Sequence, residues 1–296
     1  MEQLLRGLYQ AVRNPRSHDK YDDKQEDADA IILFVNYLLG IIDQSKAKFV
    51  ESEFLDRVFD KNFVEKDRYA NLLVDEIPPK DRLEIMLRVF ADKEKGVGKK
   101  LKFFVTALMA KLSDEERNTI FQAVSEEFKI TNSESAVRIS LQIFPNEMLQ
   151  MLEESARLRI ENKLIESIKD GRYDKEKQRS KSGSLGTWAS AIMQYFLLKD
   201  ELLNRLITKL ASDDSEEHEY VLKFFWDEIV KLQNPPSDWL IRVIKRKLKA
   251  GIKMFYDQIK LEELVGNADW VKPFSEEMET FKEAEPPESE TEDLPF

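Results

Sequence analysis

The spacing of apolar side chains predicts helices along most of the chain. In residues 2–12 the leucines and one valine recur at intervals of three and four residues, which places them on one face of a helix. Pro15 ends this helix, because the residue before a proline is disfavoured in the helical conformation. A second helix over residues 26–43 is apolar on nearly all sides, so it requires packing partners on more than one face.

Helical spacing continues after this second helix, with short connections and no convincing strand. Ser113 and Glu116 form the pattern of a capping box, and proline pairs beginning at Pro78 and Pro235 each open a further helix. The two proline-led starts leave a helical solenoid as an open alternative, although no fixed period is present. The sequence therefore predicts an all-α fold. Residues 47–273 are expected to form a helical body, which in one alternative is solenoid-like.

Two expectations concern the middle of this body. One long helix is expected over residues 147–169, where helical spacing is sustained. The polar and basic residues 172–184 are expected to form a mobile loop, because they contain little that could be buried.

The last part of the chain, residues 274–296, differs in composition from the rest. It combines acidic residues with prolines and contains too few apolar side chains for a core, which predicts disorder. The predicted organisation therefore has three parts: a helical segment over residues 1–46, the helical body over 47–273 and the acidic tail over 274–296.

Composition narrows the classes of function. The chain has 296 residues, a net charge of −11, two histidines and no cysteine. Lack of cysteine excludes disulfides, thiolate nucleophiles and cysteine zinc sites, and we expect neither a metal nor a cofactor. An early glutamate is atypical of a secretion signal, and the apolar run 31–42 is too short to span a bilayer. A cytoplasmic protein without a membrane partner is therefore expected.

One stretch near the start combines a candidate acid/base with candidate phosphate binders. His18 has a side chain that titrates near neutral pH and can accept and return a proton. The guanidinium groups of Arg13 and Arg16 suit a phosphate or the charge that develops on it. Arg13 lies at the end of the first predicted helix, with Asn14 beside it and His18 in the following turn.

The order Arg-Asn-Pro-x-x-His after an amphipathic helix, followed by a polar turn and an apolar helix, resembles the HEPN superfamily of small helical domains. An Arg-x4–6-His motif forms a metal-independent ribonuclease site in that family. The resemblance implies that His18 is the general acid/base at a ribose 2′-hydroxyl, that Arg13 holds the scissile phosphate and that Asn14 orients one of them. It also implies a homodimer with facing motifs, acting as a toxin or antiviral defence effector.

The chain departs from the family at its start. The HEPN motif lies between the last two helices of the bundle, so two preceding helices are missing here. Downstream helices or a second subunit would complete the bundle, or the domain is a remnant without catalysis. The favoured interpretation is an RNA-cleaving enzyme.

Basic residues on one predicted helix near the end of the body are candidates for contact with a nucleic-acid backbone. They are Arg242, Lys245, Arg246, Lys249 and Lys253. A solvated helix face is the alternative and the favoured interpretation of this pattern. The second histidine, His218, is either catalytic beside a carboxylate or part of a solvated helix start, and the second interpretation is favoured.

The final residues Asp293, Leu294, Pro295 and Phe296 resemble the C-terminal tip of bacterial single-stranded-DNA-binding proteins. In those proteins the tip docks onto replication and repair enzymes, with the phenylalanine in an apolar pocket and its carboxylate held by a basic residue. The resemblance implies a DNA replication or repair protein as partner. It supports a second hypothesis, that the protein is a non-catalytic helical adaptor that binds nucleic acid or protein.

Overall fold

The computed structural model of the protein describes residues 24–45 and 49–284, together with the helical positions Arg6 and Gln10. Within these residues the chain is helical apart from one two-stranded hairpin, so the predicted all-α class is confirmed. None of the helices in this described part is both long and apolar enough to cross a membrane.

The α-helices and strands follow in chain order. The helices up to the hairpin are α1 (Gln25–Ser45), α2 (Glu51–Phe59), α3 (Asp67–Asp75), α4 (Arg82–Ala91), α5 (Gly98–Met109), α6 (Asp114–Ile130), α7 (Glu134–Ile143) and α8 (Glu154–Lys169). The hairpin strands are β1 (Arg172–Asp174) and β2 (Arg179–Ser182). The later helices are α9 (Lys199–Ala211), α10 (Ser215–Phe224), α11 (Trp226–Leu232), α12 (Asp238–Lys249), α13 (Lys253–Leu264), α14 (Ala268–Val271) and α15 (Ser275–Glu279). Short 3₁₀ segments are Pro79–Asp81, Lys93–Lys95, Asn146–Met151, Gly186–Tyr195 and Lys272–Phe274.

The chain divides into two units, residues 1–50 and residues 51–296. In the described part of the first unit, α1 has 21 residues and is therefore about 31 Å long. Several of its large apolar side chains are exposed, including Leu33 at 70% and Tyr37 at 64%.

Alternate helices pack on one another in the first half of the second unit. Helix α5 contacts both α3 and α7, while α6 contacts both α4 and α8. Fully buried side chains such as Phe104 on α5 and Val124 on α6 form the core of these rows. Helix pairs that stack on one another produce two such rows of alternating helices. A solenoid with a fixed repeat stays a prediction.

Helix starts follow local sequence rules where polar caps are present. The Ser113 hydroxyl accepts from the Glu116 N–H at 3.3 Å, and the Glu116 carboxylate accepts from the Ser113 N–H at 2.7 Å. The predicted capping box is therefore confirmed. Ser237 caps α12 in a similar way, accepting from the Leu240 N–H at 3.4 Å.

The structure corrects the two expectations for the middle of the body. The expected helix over residues 147–169 is interrupted, since a 3₁₀ segment ends at Met151 and α8 begins at Glu154. The expected mobile loop contains the antiparallel hairpin β1–β2. Tyr173 packs edge-on against Phe224 with ring centroids 5.9 Å apart, which supplies the hairpin with an apolar contact to α10.

Folded structure also extends past the predicted start of the tail at residue 274. Phe274 is fully buried, α15 follows it and α15 packs against α12. The acidic composition of this stretch predicted disorder, but its buried aromatic side chain at Phe274 contributes to the core. Residues 285–296 lie outside the described part of the chain.

Candidate functional site

The predicted ribonuclease residues lie outside the described part of the chain. This applies to Arg13, Asn14, Arg16 and His18, and equally to the predicted docking residues Asp293, Leu294, Pro295 and Phe296. Their roles therefore stay predictions. The structure does describe the helix that follows the Arg-His motif and the basic helix α12.

Helix α1 begins seven positions after His18 and presents apolar side chains to solvent. Ile32, Leu33, Tyr37 and Leu39 are each more than half exposed, while Leu38 is buried. Large apolar side chains clustered in this way commonly mark a protein contact surface. This agrees with the expectation that the helix needs partners on more than one face.

Helix α12 is positioned by its apolar residues. Leu240, Ile244 and Leu248 are buried, and the helix packs against α9, α13 and α15. Four of the five predicted nucleic-acid-binding residues lie on this helix, and the fifth, Lys253, is the first residue of α13. Arg242 is exposed on the surface.

Carboxylates from the C-terminal part of the chain neutralise three of the five predicted cations. Glu277 on α15 lies 3.1 Å from Lys245 Nζ and 3.4 Å from Lys249 Nζ. Glu283 lies 3.2 Å from Lys253 Nζ. The row of lysines is therefore not a free cationic face within the described residues.

Burial and ion pairing act in opposite directions on Glu277. Its side chain is only 2% exposed, and this burial alone would raise the pKa of its carboxyl group. Hydrogen bonds from Lys245 and Lys249 outweigh burial and hold the pKa of Glu277 below its ordinary value. The carboxylate is therefore ionised when it bridges the two lysines.

The chain after α15 is fixed beside α12 and α13 by two further contacts. The ring of Phe281 stacks on Tyr256 with centroids 4.4 Å apart, and the Ala284 N–H donates to the Gly251 carbonyl at 3.0 Å. Gly251 has a φ of +72°, and a Cβ there would lie 2.5 Å from the Ala284 nitrogen. Glycine is thus required for this close approach.

Arg246, another of the predicted nucleic-acid-binding residues, contacts the protein backbone. Its guanidinium donates to the carbonyl oxygen of Ala211 at the end of α9. Lys247, which was not predicted to bind nucleic acid, is buried and pairs with Asp213 at 3.4 Å. Helix α12 therefore uses part of its positive charge to hold the segment between α9 and α10.

His218 occupies a buried position, so the predicted solvated environment is wrong. Its side chain is 1% exposed and packs edge-on against Phe255 with ring centroids 5.5 Å apart. Its Nε2 bonds to the carbonyl of Ser212, which also accepts from Lys247. Burial lowers the pKa of His218, with the charge of Lys247 acting in the same direction. These are the contacts of a neutral structural histidine.

A concave site that sequence reasoning did not find lies between α3, α5, α7 and the 3₁₀ segment Gly186–Tyr195. Its volume is about 610 Å³, and it combines aromatic, cationic and amide side chains, including Lys102, Phe103, Gln142 and Trp188. The elements that supply these residues are far apart in sequence, so no local pattern indicates their proximity. Among the described residues, no group of three histidine or acidic side chains could hold a metal ion.

Comparison with known proteins gives one partial similarity. A family model described as "Protein of unknown function (Hypoth_ymh)" matches residues 1–42. This match contains Arg13, Asn14 and His18 and most of α1. No curated protein and no solved structure matches the chain.

Proposed function

We propose that the protein is a metal-independent endoribonuclease of the HEPN type that acts as a toxin or antiviral defence effector. The observation that carries the proposal is the position of α1, an apolar helix with exposed side chains, shortly after the Arg-His motif. The region matched by the family model of unknown function, residues 1–42, contains both the motif and most of this helix. RNA is the substrate class, since the reaction uses the 2′-hydroxyl.

The proposed chemistry assigns one step to each motif residue. His18 accepts the proton of a ribose 2′-hydroxyl while the 2′-oxygen attacks the adjacent phosphorus. Arg13 binds the phosphate oxygens, where negative charge increases, with Arg16 as a second contact. The bond from phosphorus to the 5′-oxygen breaks, and a protonated histidine returns a proton to that oxygen. Asn14 orients Arg13 or His18.

Two copies of the motif would divide these proton transfers between them. In a homodimer, one His18 acts as base and the His18 of the other copy acts as acid. The exposed residues Leu33, Tyr37 and Leu39 support this assembly, because a second copy would remove them from water.

The test is cleavage of a mixed single-stranded RNA by the purified protein in chelator, beside a His18→Ala variant. We expect cleavage by the parent only, with 2′,3′-cyclic phosphate ends and no cutting of DNA of the same sequence. A Glu26→Gln variant is the matched control, because Glu26 is exposed at the start of α1 and has no role in the proposed chemistry, so it should retain activity. Loss of cleavage on addition of chelator would contradict the mechanism, as would full activity of His18→Ala.

The alternative function is a helical adaptor that binds nucleic acid or protein and recruits a DNA replication or repair enzyme through Asp293–Phe296. The observation that favours it is the fixed position of Ala284, whose N–H donates to the Gly251 carbonyl at 3.0 Å nine positions before Asp293 in the sequence. Deletion of Leu294 to Phe296 should abolish capture of the partner enzyme. Capture that is unchanged by this deletion would remove the alternative.

A further inference from the structure

The cavity between α3, α5, α7 and the 3₁₀ segment Gly186–Tyr195, which we call the α5 cavity, combines side chains of three chemical kinds. They are aromatic (Phe103 and Trp188), cationic (Lys99 and Lys102) and amide (Gln142 and Asn146). The volume of about 610 Å³ lies within the range of about 300–1,000 Å³ that is typical of small-molecule sites. The cavity therefore has the size and the mixed lining of a site for an organic ligand.

Helix α5 supplies a continuous stripe of this lining. Lys99, Lys102, Phe103 and Thr106 are related by intervals of three and four residues, so they share one face of the helix. The two lysines come first, near the N-terminal end of α5, where the helix dipole also favours negative charge. One end of the stripe is therefore suited to an anion, and the aromatic ring lies next to it.

Lys102 is available to bind such an anion. Lys99 pairs with Glu65 at 2.9 Å, whereas the Lys102 side chain is exposed and has neither an ion pair nor a hydrogen bond among the described residues. An ammonium group forms its strongest hydrogen bonds with carboxylate or phosphate oxygens. A ligand with an anionic group would supply the partner that Lys102 lacks in this part of the chain.

Trp188 differs from two buried tryptophans in the use of its indole N–H. Trp226 donates to Glu262 at 3.0 Å, and Trp270 donates to the carbonyl of Gln233 at 2.8 Å. Trp188 is half-buried, and its indole N–H has no acceptor within the described residues. Its ring is therefore available for stacking on an aromatic ligand, and its N–H is available to donate.

The two amides are held in place by contacts between elements. Asn146 donates from Nδ2 to the carbonyl of Ala191 at 3.0 Å, which joins it to the segment that carries Trp188. A Cβ at Gly98 would lie 2.2 Å from Oε1 of Gln142, so glycine permits this amide to lie close to the start of α5. Gln142 has no hydrogen bond to any described residue. Its amide can therefore both donate to and accept from a ligand.

We propose that the α5 cavity binds a nucleoside monophosphate, with the base stacked on Trp188 and hydrogen-bonded by Gln142, and with the phosphate bound by Lys102. A nucleotide combines the flat ring, the polar edge and the anion that these side chains suit. The carboxylate of Asp67, which also lines the cavity, accepts from the ribose hydroxyls. The site does not depend on the ribonuclease proposal, because none of its residues belongs to the Arg-His motif.

The experiment measures the Kd of the purified protein for small ligands by isothermal titration calorimetry. The probes are the 5′-monophosphates of adenosine, guanosine, cytidine and uridine, the four matching nucleosides and inorganic phosphate. We expect saturable binding of at least one monophosphate, with its nucleoside and inorganic phosphate each bound at least about tenfold more weakly. Absence of saturable binding of every monophosphate up to about 1 mM would overturn the proposal. Equal affinity for a monophosphate and its nucleoside would also overturn it.

Three variants test whether the ligand lies in the α5 cavity. Lys102→Gln should remove most of the difference in affinity between the monophosphate and its nucleoside, whereas Lys80→Gln, a matched change at an exposed lysine outside the cavity, should leave both Kd values unchanged. Trp188→Ala should weaken the monophosphate at least about fivefold through loss of stacking. Thr106→Trp places a large ring in the cavity from an exposed position and should abolish binding, so the test remains decisive if Trp188→Ala does not fold. Unchanged affinity in Lys102→Gln or in Thr106→Trp would overturn the proposal.

A strand of RNA contains the same base and phosphate groups and is tested separately. The probe is a fluorescein-labelled single-stranded RNA of about 20 nucleotides, measured by fluorescence anisotropy with proteins that carry His18→Ala to prevent cleavage. RNA affinity that Thr106→Trp leaves unchanged would support a site for the free nucleotide. RNA that binds at least about tenfold more tightly than every monophosphate, and that Thr106→Trp releases, would assign the cavity to a polynucleotide and overturn the proposal.

Discussion

The carboxylate of Glu161 accepts a hydrogen bond from the backbone N–H of Leu198 at 2.9 Å, which joins the middle of α8 to the segment that leads into α9. Glu161 is fully buried, and Arg157 lies 3.8 Å from its second oxygen. Burial raises the pKa of Glu161, and the bond from Leu198 only partly offsets this effect. The acceptor is needed at this position, whereas the negative charge is unfavourable.

Replacing Glu161 should therefore separate the hydrogen bond from the charge. Glu161→Gln retains an acceptor for Leu198 and removes the buried charge, so we expect stability equal to or above that of the parent at pH 7. Glu161→Ala leaves the Leu198 N–H without its acceptor and should lower the free energy of unfolding by about 1–3 kcal/mol. Urea denaturation followed by circular dichroism measures both values. A Gln variant as unstable as the Ala variant would show that the charge itself is required.

The sign of the pH effect provides a second measurement on the same residue. Because the pKa of Glu161 is raised on folding, the unfolded chain loses this proton at lower pH than the folded protein. Glu161 therefore lowers stability as the pH rises above its ordinary value of 4.5. The difference in stability between Glu161→Gln and the parent should increase from pH 4.5 to pH 7, and a constant difference would contradict the assignment.

His218 should make the folded protein sensitive to mild acid. The neutral ring donates from Nε2 to Ser212, and Nδ1 is buried without a hydrogen-bond partner, so a proton on Nδ1 would not be stabilised. Burial lowers the pKa of His218 on folding, and the charge of Lys247 acts in the same direction, while Asp214 and Glu217 favour the charged ring. The unfolded chain therefore takes up a proton near pH 6.5, its ordinary value, before the folded protein does. Stability is retained above that pH and falls below it.

The measurement is the midpoint of thermal unfolding from pH 7.5 to pH 5. We expect the parent and a His18→Ala control to lose stability over this range, and His218→Gln to lose less, whatever its stability at pH 7.5. Parallel curves for the parent and His218→Gln would contradict the role given to this ring.

Local sequence patterns predicted the helices but not the contacts between distant residues. The capping box at Ser113 was predictable because both partners lie within one helical turn. The hairpin was missed because Arg172–Asp174 lacks an alternating apolar pattern, and Tyr173 finds its ring partner 51 positions later at Phe224. The acidic residues around His218 suggested solvent exposure, whereas the ring points to Phe255 on another helix.

The candidate site shows the same division. The sequence predicted a basic face from the lysines on α12. It also predicted the acidic tail, but as a separate segment. Their connection depends on Glu277 lying opposite Lys245, a pair separated by 32 positions that only packing of α15 on α12 establishes. Periodicity within each helix contains no information about that packing.

Glu277 should contribute to stability through its two lysines. Glu277→Gln removes the buried anion and leaves Lys245 and Lys249 close together, so we expect a loss of about 1–2 kcal/mol, less than for a fully buried pair because Lys249 is exposed. The pKa of Glu277 is lowered on folding, so its contribution is present above pH 4.5 and decreases as the pH falls through the lower folded pKa. Urea denaturation at pH 7 measures the loss. The neighbouring Glu276→Gln is the control, since Glu276 is exposed, and equal losses would argue against the bridge.

Helix α1 should carry the contact between two copies of the chain. Leu33 is 70% exposed and Tyr37 is 64% exposed, one helical turn apart on α1, so a partner would bury both. Leu33→Glu would place a charge in that contact, and we expect it to raise the dimer dissociation constant by at least about tenfold. Light scattering coupled to size-exclusion chromatography measures the mass over a range of concentrations, and Glu26→Gln at the exposed start of the same helix is the control. If the parent is a dimer and Leu33→Glu does not change its mass, the contact between the copies lies elsewhere. If the Leu33→Glu variant is monomeric and also loses RNA cleavage, the motifs of the two copies act together.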